Sequence, residues 1–460
     1  MGMGHLAVRG VDGVRQFPVP GVAVALFLGL AAAAPACQAF APGFAEFGGE
    51  RVRGPRARAA QQDAMLELRL DAMLASAMQT HEVDCWLVFG NGPVADPLFR
   101  HLTVSGTWID GRAALLLCHG AGGLRRLALG RGLDPNAALY EVLEAESDER
   151  LAELLGERLV AADPARIAID RAAGLPLADG LSAADEDWLL DALPADLSAR
   201  MVSSAALVET FLAGQLESEA PLFIESARLT AAILAEVLSD RVVVAAGTSL
   251  ADLEWAVRER ALAAGVELAY PPRAAVYRPG QTLDLERRME LDLLLQPGDL
   301  FFLSTGVRYL GYANRYGRWA YLLREGERAA PPWVEAATVE LADAVEAVGK
   351  ALRPGLDAAA AEAAVSAALQ GFSSLSASIA RAGRLAEGPA DPGSRPAAPP
   401  WHPEYRLASG TGVLITVRSS APRPGFGENP LPLALVETAL LTGAGARFII
   451  PPQRTPLLID

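Results

Sequence analysis

The spacing of apolar positions changes near residue 203. Before it, short apolar runs such as "DCWLVFG" (84–90) and "RAALLLCHG" (112–120) are separated by turn residues, which predicts short strands after a helix at residues 65–80. After it, "ESEAPLFIESARLTAAILAEVLSD" and "TSLADLEWAVRERALAAG" predict two long helices, followed by strands and by a helix from Pro332 to Leu352. The pattern therefore predicts an α/β (α+β) chain in two parts.

Capping residues predict where the second long helix begins and ends. Thr248 or Ser249 can act as its N-cap, and Gly265 can close it.

The first 39 residues have the pattern of a signal peptide. Arg9 and Arg15 precede the apolar run "VAVALFLGLAAAA" (22–34), and small residues at Cys37 and Ala39 suit cleavage before Phe40. A membrane anchor is the weaker alternative, because a span needs about 20 apolar residues. The chain is therefore expected to enter the secretory route, and the mature form is expected to have no membrane segment.

An Arg-rich segment at residues 40–62 follows, and it is transit-like. The "CQAFAP" junction resembles the Ala-Phe-Ala-Pro boundary in the bipartite presequences of algae with complex plastids. This resemblance implies a plastid protein whose mature chain begins near residue 60, with an unpacked segment before that point. Simple secretion is the alternative.

Composition and charge limit the classes of function. The chain has 460 residues, of which 51% are hydrophobic, so it can bury a large core in two domains. A formal net charge of -15 argues against binding nucleic acid or anionic lipid by bulk electrostatics. Cys37, Cys85 and Cys118 have no metal-ligand or CxxC spacing, so no disulfide is predicted, and Cys85 and Cys118 are expected to be small core residues.

Several strings carry a resemblance to a known family. In order, "LQPGDLFFLSTGVRYLGYANRYGRWAYLLREGE", "ALRPGLD", "LASGTGVLITV" and "LALVETALLTGAGARFI" resemble the carboxy-terminal domain of the creatinase, aminopeptidase P and methionine aminopeptidase superfamily. "DCWLVFG", "DPLFR" and "LADGLS" resemble its creatinase-type amino-terminal domain. The resemblance implies a creatinase-like α/β domain at residues 65–203 and a pita-bread domain at residues 206–460.

Active members of this superfamily hold two metal ions with two aspartates, a histidine and two glutamates. A dinuclear divalent centre needs such ligands to balance its charge and to activate water. On this chain the resemblance places the ligand positions at Ser304, Arg315, Ser378, Thr416 and either Val436 or Glu437, and it places the second histidine of the family at Leu385. It thus implies that the two-metal site is lost and that no cofactor is bound.

Arg315 is the most adverse of these replacements. A unit charge about 4 Å from a dication repels it by roughly 8 kcal/mol at an effective dielectric constant near 20. If its side chain points inward, we expect it to pair with a carboxylate such as Glu437. The alternative is a solvated Arg315 with Asn314 reaching inward instead.

Other catalytic chemistry has weak support. Creatinase-type members use a histidine as acid and base, but the one histidine after His119 is His402, in a Pro-rich stretch where a solvated role is expected. Ser304 has no predicted base partner. The carboxylates of Glu217, Glu219, Asp252 and Glu254 are expected on solvated helix faces.

The preferred hypothesis is a noncatalytic pseudoenzyme related to Xaa-Pro aminopeptidases and dipeptidases. It would bind a peptide or protein partner in the pita-bread cleft, as degenerate members of this superfamily do in chromatin and growth regulation. One alternative is a hydrolase that cleaves X-Pro peptides or related amide C–N bonds with a divergent site. Another is a structural role in a hetero-oligomer with an active homologue, and a homo-oligomer is also open.

Overall fold

The computed structural model describes residues 45–47, 50–92, 96–120, 122–172, 175–283, 291–386, 402, 405–427 and 430–460. These residues belong to one compact unit that runs from Pro42 to Asp460. The predicted signal peptide lies outside the described residues and stays a prediction. The proposed division into domains at residues 65–203 and 206–460 also stays a prediction, because both ranges fall within the same compact unit.

The Arg-rich segment is packed from Val52 onward. Strands β1 (Ala45–Phe47) and β2 (Glu50–Val52) pair antiparallel, and helices α1 (Pro55–Ala72) and α2 (Leu74–Thr80) follow. Val52 is buried, and the backbone N–H of Arg53 donates to the Tyr309 hydroxyl at 2.9 Å.

The Arg53 guanidinium contacts Glu225 at 3.3 Å. The expectation of an unpacked segment up to about residue 60 is therefore wrong from Val52 onward. These contact partners are remote in sequence, so the local pattern could not indicate them.

The first large sheet has the strand order β6-β5-β4-β3-β7-β8. Its strands are β3 (Cys85–Asn91), β4 (Arg112–Gly120), β5 (Gly123–Gly130), β6 (Glu141–Leu143), β7 (Ile167–Ile169) and β8 (Met201–Ser203). The helices of this region are α3 (Pro97–His101), α4 (Asp148–Ala162), α5 (Ala183–Ala192) and α6 (Ala195–Ser198). Strands β3 and β4 are buried on both faces, as their continuous apolar runs predict.

Cys85 and Cys118 form a disulfide, which corrects the expectation from sequence. They lie directly opposite each other on the antiparallel strands β3 and β4, with their Cα atoms 4.1 Å apart. Both are buried, as expected of core residues. The pairing was missed because it depends on strand register, which the spacing of 33 residues does not show.

Long helices follow the first sheet. They are α7 (Ala205–Ala213), α8 (Ala220–Val237), α9 (Leu250–Ala263), α10 (Pro332–Ala351) and α11 (Ala358–Ala368). Ser249 caps α9, because its hydroxyl accepts from the Asp252 N–H at 3.1 Å and the Asp252 carboxylate accepts from the Ser249 N–H at 2.8 Å. Gly265 follows the helix with a φ of 64°. The predicted ends of α9 and the predicted helix from Pro332 are confirmed.

Two further sheets complete the fold. Their strands are β9 (Glu267–Arg278), β10 (Gln281–Leu283), β11 (Leu300–Tyr309), β12 (Tyr312–Ala313), β13 (Tyr316–Leu322), β14 (Leu375–Arg381), β15 (Gly412–Ser419), β16 (Leu433–Thr442), β17 (Gly445–Phe448) and β18 (Leu457–Ile459). One sheet has the order β10-β9-β11-β13-β18 with β12 beside β11, and the other has the order β14-β15-β16-β17.

Helices pack on both of these sheets. Helix α8 packs on β11, α9 packs on β9, and α10 packs on β15, β16 and β17. The sheets meet where the Trp319 indole N–H donates to the Ala434 carbonyl at 2.8 Å. The mixed α/β class predicted from the sequence is confirmed, with mainly antiparallel sheets flanked by helices.

Candidate functional site

Ser304 and Arg315 lie next to each other in the core. Ser304 is on β11, and Arg315 immediately precedes β13, the antiparallel neighbour of β11. The Arg315 Nε donates to the Ser304 hydroxyl at 3.1 Å. Both side chains are buried, with Arg315 only 2% exposed, so the alternative of a solvated Arg315 is wrong.

Ser378, Thr416 and Val436 stand side by side on three strands of the second sheet. Ser378 on β14 is opposite Thr416 on β15, and Thr416 is opposite Val436 on β16. Glu437 is opposite Ile415 instead. Since successive side chains alternate between the faces of a sheet, Val436 shares the face of Thr416, and Glu437 is on the other face.

Thr438 joins the two groups of positions. Its hydroxyl accepts from the Arg315 backbone N–H at 2.9 Å and donates to the Arg315 carbonyl at 2.8 Å. Thr438 is two residues beyond Val436 and therefore on the same face of β16. The Arg315 segment is thereby fixed against the strand that carries Val436, a contact that the sequence alone did not indicate.

The guanidinium of Arg315 stacks on an aromatic ring. Its Cζ lies 5.2 Å from the centroid of the Tyr270 ring, a cation–π distance. The expected ion pair between Arg315 and Glu437 is wrong, because Glu437 bonds Arg318 at 2.7 Å. Strand alternation explains the difference, since it turns Glu437 away from Arg315.

Glu437 is fully buried beneath the sheet. Burial raises its pKa to about 7, although Arg318 and the Gln453 N–H act in the opposite direction. One carboxylate oxygen accepts from Arg318 at 2.7 Å and from the Gln453 N–H at 3.3 Å, and the other accepts from Arg318 at 3.3 Å. Both carboxylate oxygens of Glu437 therefore already accept hydrogen bonds from within the fold.

Asn314 also points inward, as the alternative proposed. It is buried, and its Nδ2 donates to the Ser226 hydroxyl of α8 at 2.7 Å. Its Oδ1 accepts no hydrogen bond from the residues that the structure describes. Both Asn314 and Arg315 are thus inside the fold.

Two of the four carboxylates expected on solvated helix faces are buried. Glu219 bonds Arg69 at 2.7 Å and Arg384 at 3.1 Å, and it accepts from the Tyr312 hydroxyl. Glu254 accepts from the Ala274 N–H at 3.1 Å. The expectation was wrong because helical spacing does not show partners that lie on distant strands.

His402 lies apart from the cleft residues. Its backbone N–H donates to Glu209 at 2.6 Å, and it lines a cavity together with His81, Arg166 and Ser203. None of the six predicted ligand positions lines that cavity.

The residues of the cleft do not fit a dinuclear metal centre. Among the described parts of the chain, no three His, Cys, Asp or Glu residues lie close enough together to hold a metal ion. Ser304, Ser378 and Thr416 offer only hydroxyls, and Arg315 adds a positive charge. Neutral hydroxyls cannot balance two dications, so we derive no metal-dependent step. That these residues occupy the ancestral ligand positions stays a prediction.

Comparisons with known proteins identify the fold. Residues 222–420 match the model of metallopeptidase family M24. No curated protein is significantly similar in sequence.

Solved structures resemble the chain over most of its length. An X-Pro aminopeptidase from Thermotoga maritima has a TM-score of 0.60 at 12% identity, covering 83% of this chain and 99% of its own. A Xaa-Pro dipeptidase from Bacillus anthracis has a TM-score of 0.60 at 14% identity, covering 86% and 99%. The N-terminal domain of FACT complex subunit SPT16 from Cicer arietinum has a TM-score of 0.55 at 15% identity, covering 88% and 99%.

Residues 222–420 match the M24 metallopeptidase family, and the chain has the pita-bread fold that its sequence resemblance implied. Its fold is that of the Xaa-Pro peptidases in this superfamily. Within the described residues, no helix is both long and apolar enough to cross a bilayer.

Proposed function

We propose that this chain is a noncatalytic pita-bread protein that binds a peptide or protein partner in its cleft. The observation that carries this proposal is the buried Arg315, which bonds Ser304 and stacks on Tyr270. The sequence resemblance puts this positive charge at a position where active members of the superfamily have a metal ligand. Repulsion of roughly 8 kcal/mol at about 4 Å would oppose metal binding there.

The rest of the cleft supports the same conclusion. Ser378, Thr416 and Val436 share one face of the second sheet and include no carboxylate or imidazole. Arg418 lies close to Ser378, with an Nη1–Oγ distance of 3.4 Å, so this face also carries positive charge. Such a surface suits backbone carbonyls or carboxylates of a bound chain better than metal ions.

Strand β14 offers a route for binding an extended peptide. Among the described residues it is an edge strand of the four-stranded sheet, and Ser378 on it is half-buried. An edge strand can pair with an added strand through its backbone N–H and C=O groups, while neighbouring side chains select the sequence. The similarity to a domain of a FACT complex subunit indicates that this fold also occurs within protein assemblies.

The alternative, a hydrolase with a divergent site, has one supporting observation. Glu437 has a pKa of about 7, which would suit a general base. However, Arg318 and Gln453 already occupy its oxygens, and it faces away from Thr416. A base must reach the proton that it takes, so this geometry favours the binding function.

Peptide binding can be tested with a cleft variant and a matched surface variant. A library of extended peptides would be screened against the full chain, and the affinity of selected peptides measured for Ser378→Trp and for Ser366→Trp on the exposed face of α11. We expect Ser378→Trp to abolish binding and Ser366→Trp to leave it unchanged. Equal binding by both variants would contradict a site at β14.

The hydrolase alternative requires a separate assay. The full chain would be incubated with X-Pro dipeptides and added manganese, cobalt or zinc, with an active Xaa-Pro dipeptidase as the positive control. We expect no hydrolysis above the rate without protein. Turnover that is lost in Glu437→Gln but retained in a correctly folded control variant would favour the hydrolase.

A further inference from the structure

Two aspartates are buried side by side at the end of strand β7. Asp96 immediately precedes helix α3, Asp170 immediately follows β7, and each residue is only 2% exposed. The Leu181 N–H donates to the Asp170 carbonyl at 3.2 Å, and a Cβ atom at the preceding Gly180 would lie 2.3 Å from the Asp96 carboxyl carbon. The carboxyl groups of Asp96 and Asp170 are hydrogen-bonded to each other. They are therefore in direct contact inside the fold.

One oxygen of each carboxyl group has donors from the surrounding fold. The Asp96 Oδ1 accepts from the Leu98 N–H at 2.8 Å, so Asp96 caps α3. The Asp170 Oδ1 accepts from the Ser204 hydroxyl at 2.5 Å and from the Trp86 indole N–H at 3.4 Å. Each Oδ2 is buried, and no other described residue offers it an N–H or O–H donor. The two Oδ2 atoms are thus left for the contact between the carboxyl groups.

This contact requires a proton. Two ionised carboxylates cannot bond each other, because both are acceptors and both are negatively charged, whereas a protonated carboxyl group has an O–H that can donate. Burial raises the pKa of Asp170 well above its ordinary value, and the neighbouring charge of Asp96 raises it further. Burial also raises the pKa of Asp96, to about 6. The proton therefore stays on Asp170 at a pH where an exposed aspartate is ionised.

The surroundings of the pair do not supply a compensating cation. Within the described parts of the chain, no arginine, lysine or histidine bonds either carboxyl group. Asp179 faces the pair, and its negative charge acts with burial to raise the pKa of Asp96. Other charged or titratable residues on the neighbouring elements are Arg100 and His101 in the last turn of α3, Arg171 and Glu186, which bond each other, and Glu209, which bonds Arg381. Ionising both aspartates would thus place two uncompensated charges together in a buried position.

We propose that Asp96 and Asp170 share one proton and form a pH-sensitive latch between helix α3 and the segment that joins β7 to α7. With the proton in place, the Asp170 O–H donates to Asp96 and holds the cap of α3 against that segment. When the proton passes to water or to hydroxide ion, the two carboxylates repel each other and the latch opens. The latch differs from Glu437, whose buried carboxylate has an arginine partner.

The latch should stabilise the fold most at low pH. The pKa values of both aspartates are raised in the folded chain above the ordinary value of 3.8. Their contribution to stability is therefore fully present below about pH 4 and is lost as the pH rises through 6 and above. The wild-type chain should consequently unfold at a lower denaturant concentration at pH 8 than at pH 5.

Two asparagine variants test the latch by denaturant unfolding of the full chain from pH 5 to pH 8. Asp170→Asn replaces the acid with an amide that can donate to Asp96 at every pH, and Asp96→Asn keeps a residue that can cap α3. Asp187→Asn is the matched control, because it removes the same charge from an exposed position of α5. Glu437 is intact in all three variants, so its contribution to the pH dependence is the same in each.

We expect the fall in the unfolding midpoint between pH 5 and pH 8 to be smaller in Asp170→Asn and in Asp96→Asn than in the wild type. The fall in Asp187→Asn should equal that of the wild type. The proposal is overturned if both test variants lose stability with pH as steeply as the wild type, or if the control changes as much as they do.

Infrared spectroscopy detects the shared proton directly, and on the wild-type chain it stays decisive even where a variant does not fold. Isotope-labelled aspartate separates the signal of this pair from that of Glu437. We expect a carboxylic acid band of aspartate at pH 7, its loss as the pH is raised further, and its absence from Asp170→Asn at pH 7. A wild-type spectrum without an aspartic acid band at pH 7 would overturn the proposal.

Discussion

Two arginines three residues apart are buried in different ways. Arg318 is 11% exposed and forms an ion pair with Glu437. Arg315 is 2% exposed and contacts the Tyr270 ring and the Ser304 hydroxyl. On the paired strands, Arg318 lies opposite Leu303, the residue before Ser304 on β11. Because side chains alternate between the faces of a sheet, Arg318 and Arg315 lie on opposite faces.

The comparison suggests different roles for the two arginines: Arg318 stabilises the fold, and Arg315 affects what the cleft can bind. On the Glu437 face, a carboxylate compensates a buried guanidinium and holds the two sheets together. On the cleft face, the Arg315 guanidinium stacks on the Tyr270 ring and donates to the Ser304 hydroxyl. Glu437 is thus on the face that joins the two sheets and not on the face of Thr416 and Val436.

The largest effect is expected for Arg318→Met. This change leaves Glu437 buried without its cation, which typically costs about 3–5 kcal/mol of the free energy of unfolding. Arg454→Met is the matched control, because Arg454 is 45% exposed in its pairs with Asp343 and Glu346, and exposed pairs contribute about 0–1 kcal/mol. Denaturant unfolding at pH 8 measures both. Equal losses would show that the Glu437 pair does not stabilise the fold.

The pH dependence of stability is expected to follow Glu437. Its pKa in the folded protein, about 7, is raised above the ordinary value of 4.5. A raised pKa means that this contribution to stability is fully present below about pH 4.5 and is lost as the pH rises through 7. Glu437→Gln should therefore make the free energy of unfolding less dependent on pH between 5 and 8. An unchanged slope would contradict the raised pKa.

A smaller effect is expected for Arg315→Met. The variant loses a cation–π contact and a hydrogen bond to Ser304, each worth about 1 kcal/mol. The free energy of unfolding should fall less than in Arg318→Met, as measured under the same conditions. A loss as large as that of Arg318→Met would mean that Arg315 is also essential to the structure.

The sequence predicted the order of elements better than the pairing of side chains. The resemblance brought Ser304 and Arg315 together because both lie within one short motif. It could not pair Glu437 with Arg318, which are separated by 119 positions and meet only through strand alternation. The Cys85–Cys118 disulfide was missed for the same reason, since it depends on the register of β3 and β4.

The ion pairs of the buried Glu219 could likewise not be predicted from the sequence. Helical spacing predicted that Glu219 lies on a solvated helix face. Its partners in the folded chain are Arg69, 150 positions before it, and Arg384, 165 positions after it. A carboxylate is buried only when such partners are in place.

Placing aspartates at two of the predicted metal-ligand positions, residues 304 and 315, should have the smallest effect. The double variant Ser304→Asp/Arg315→Asp should not cleave X-Pro dipeptides, because Ser378, Thr416 and Val436 still provide neither imidazole nor carboxylate. The assay is hydrolysis with added manganese, cobalt or zinc. Metal-dependent turnover in this variant would show that the rest of the cleft is competent.

The central claim is that the cleft of the wild-type chain does not hold catalytic metal. The most direct test is to measure the metal content of the purified full chain at neutral pH. Elemental mass spectrometry after incubation with manganese, cobalt or zinc and desalting would count the ions. We predict far less than one ion per chain, the same for wild type and for Thr416→Ala. About two ions per chain, lost with a chelator together with X-Pro cleavage, would contradict the account.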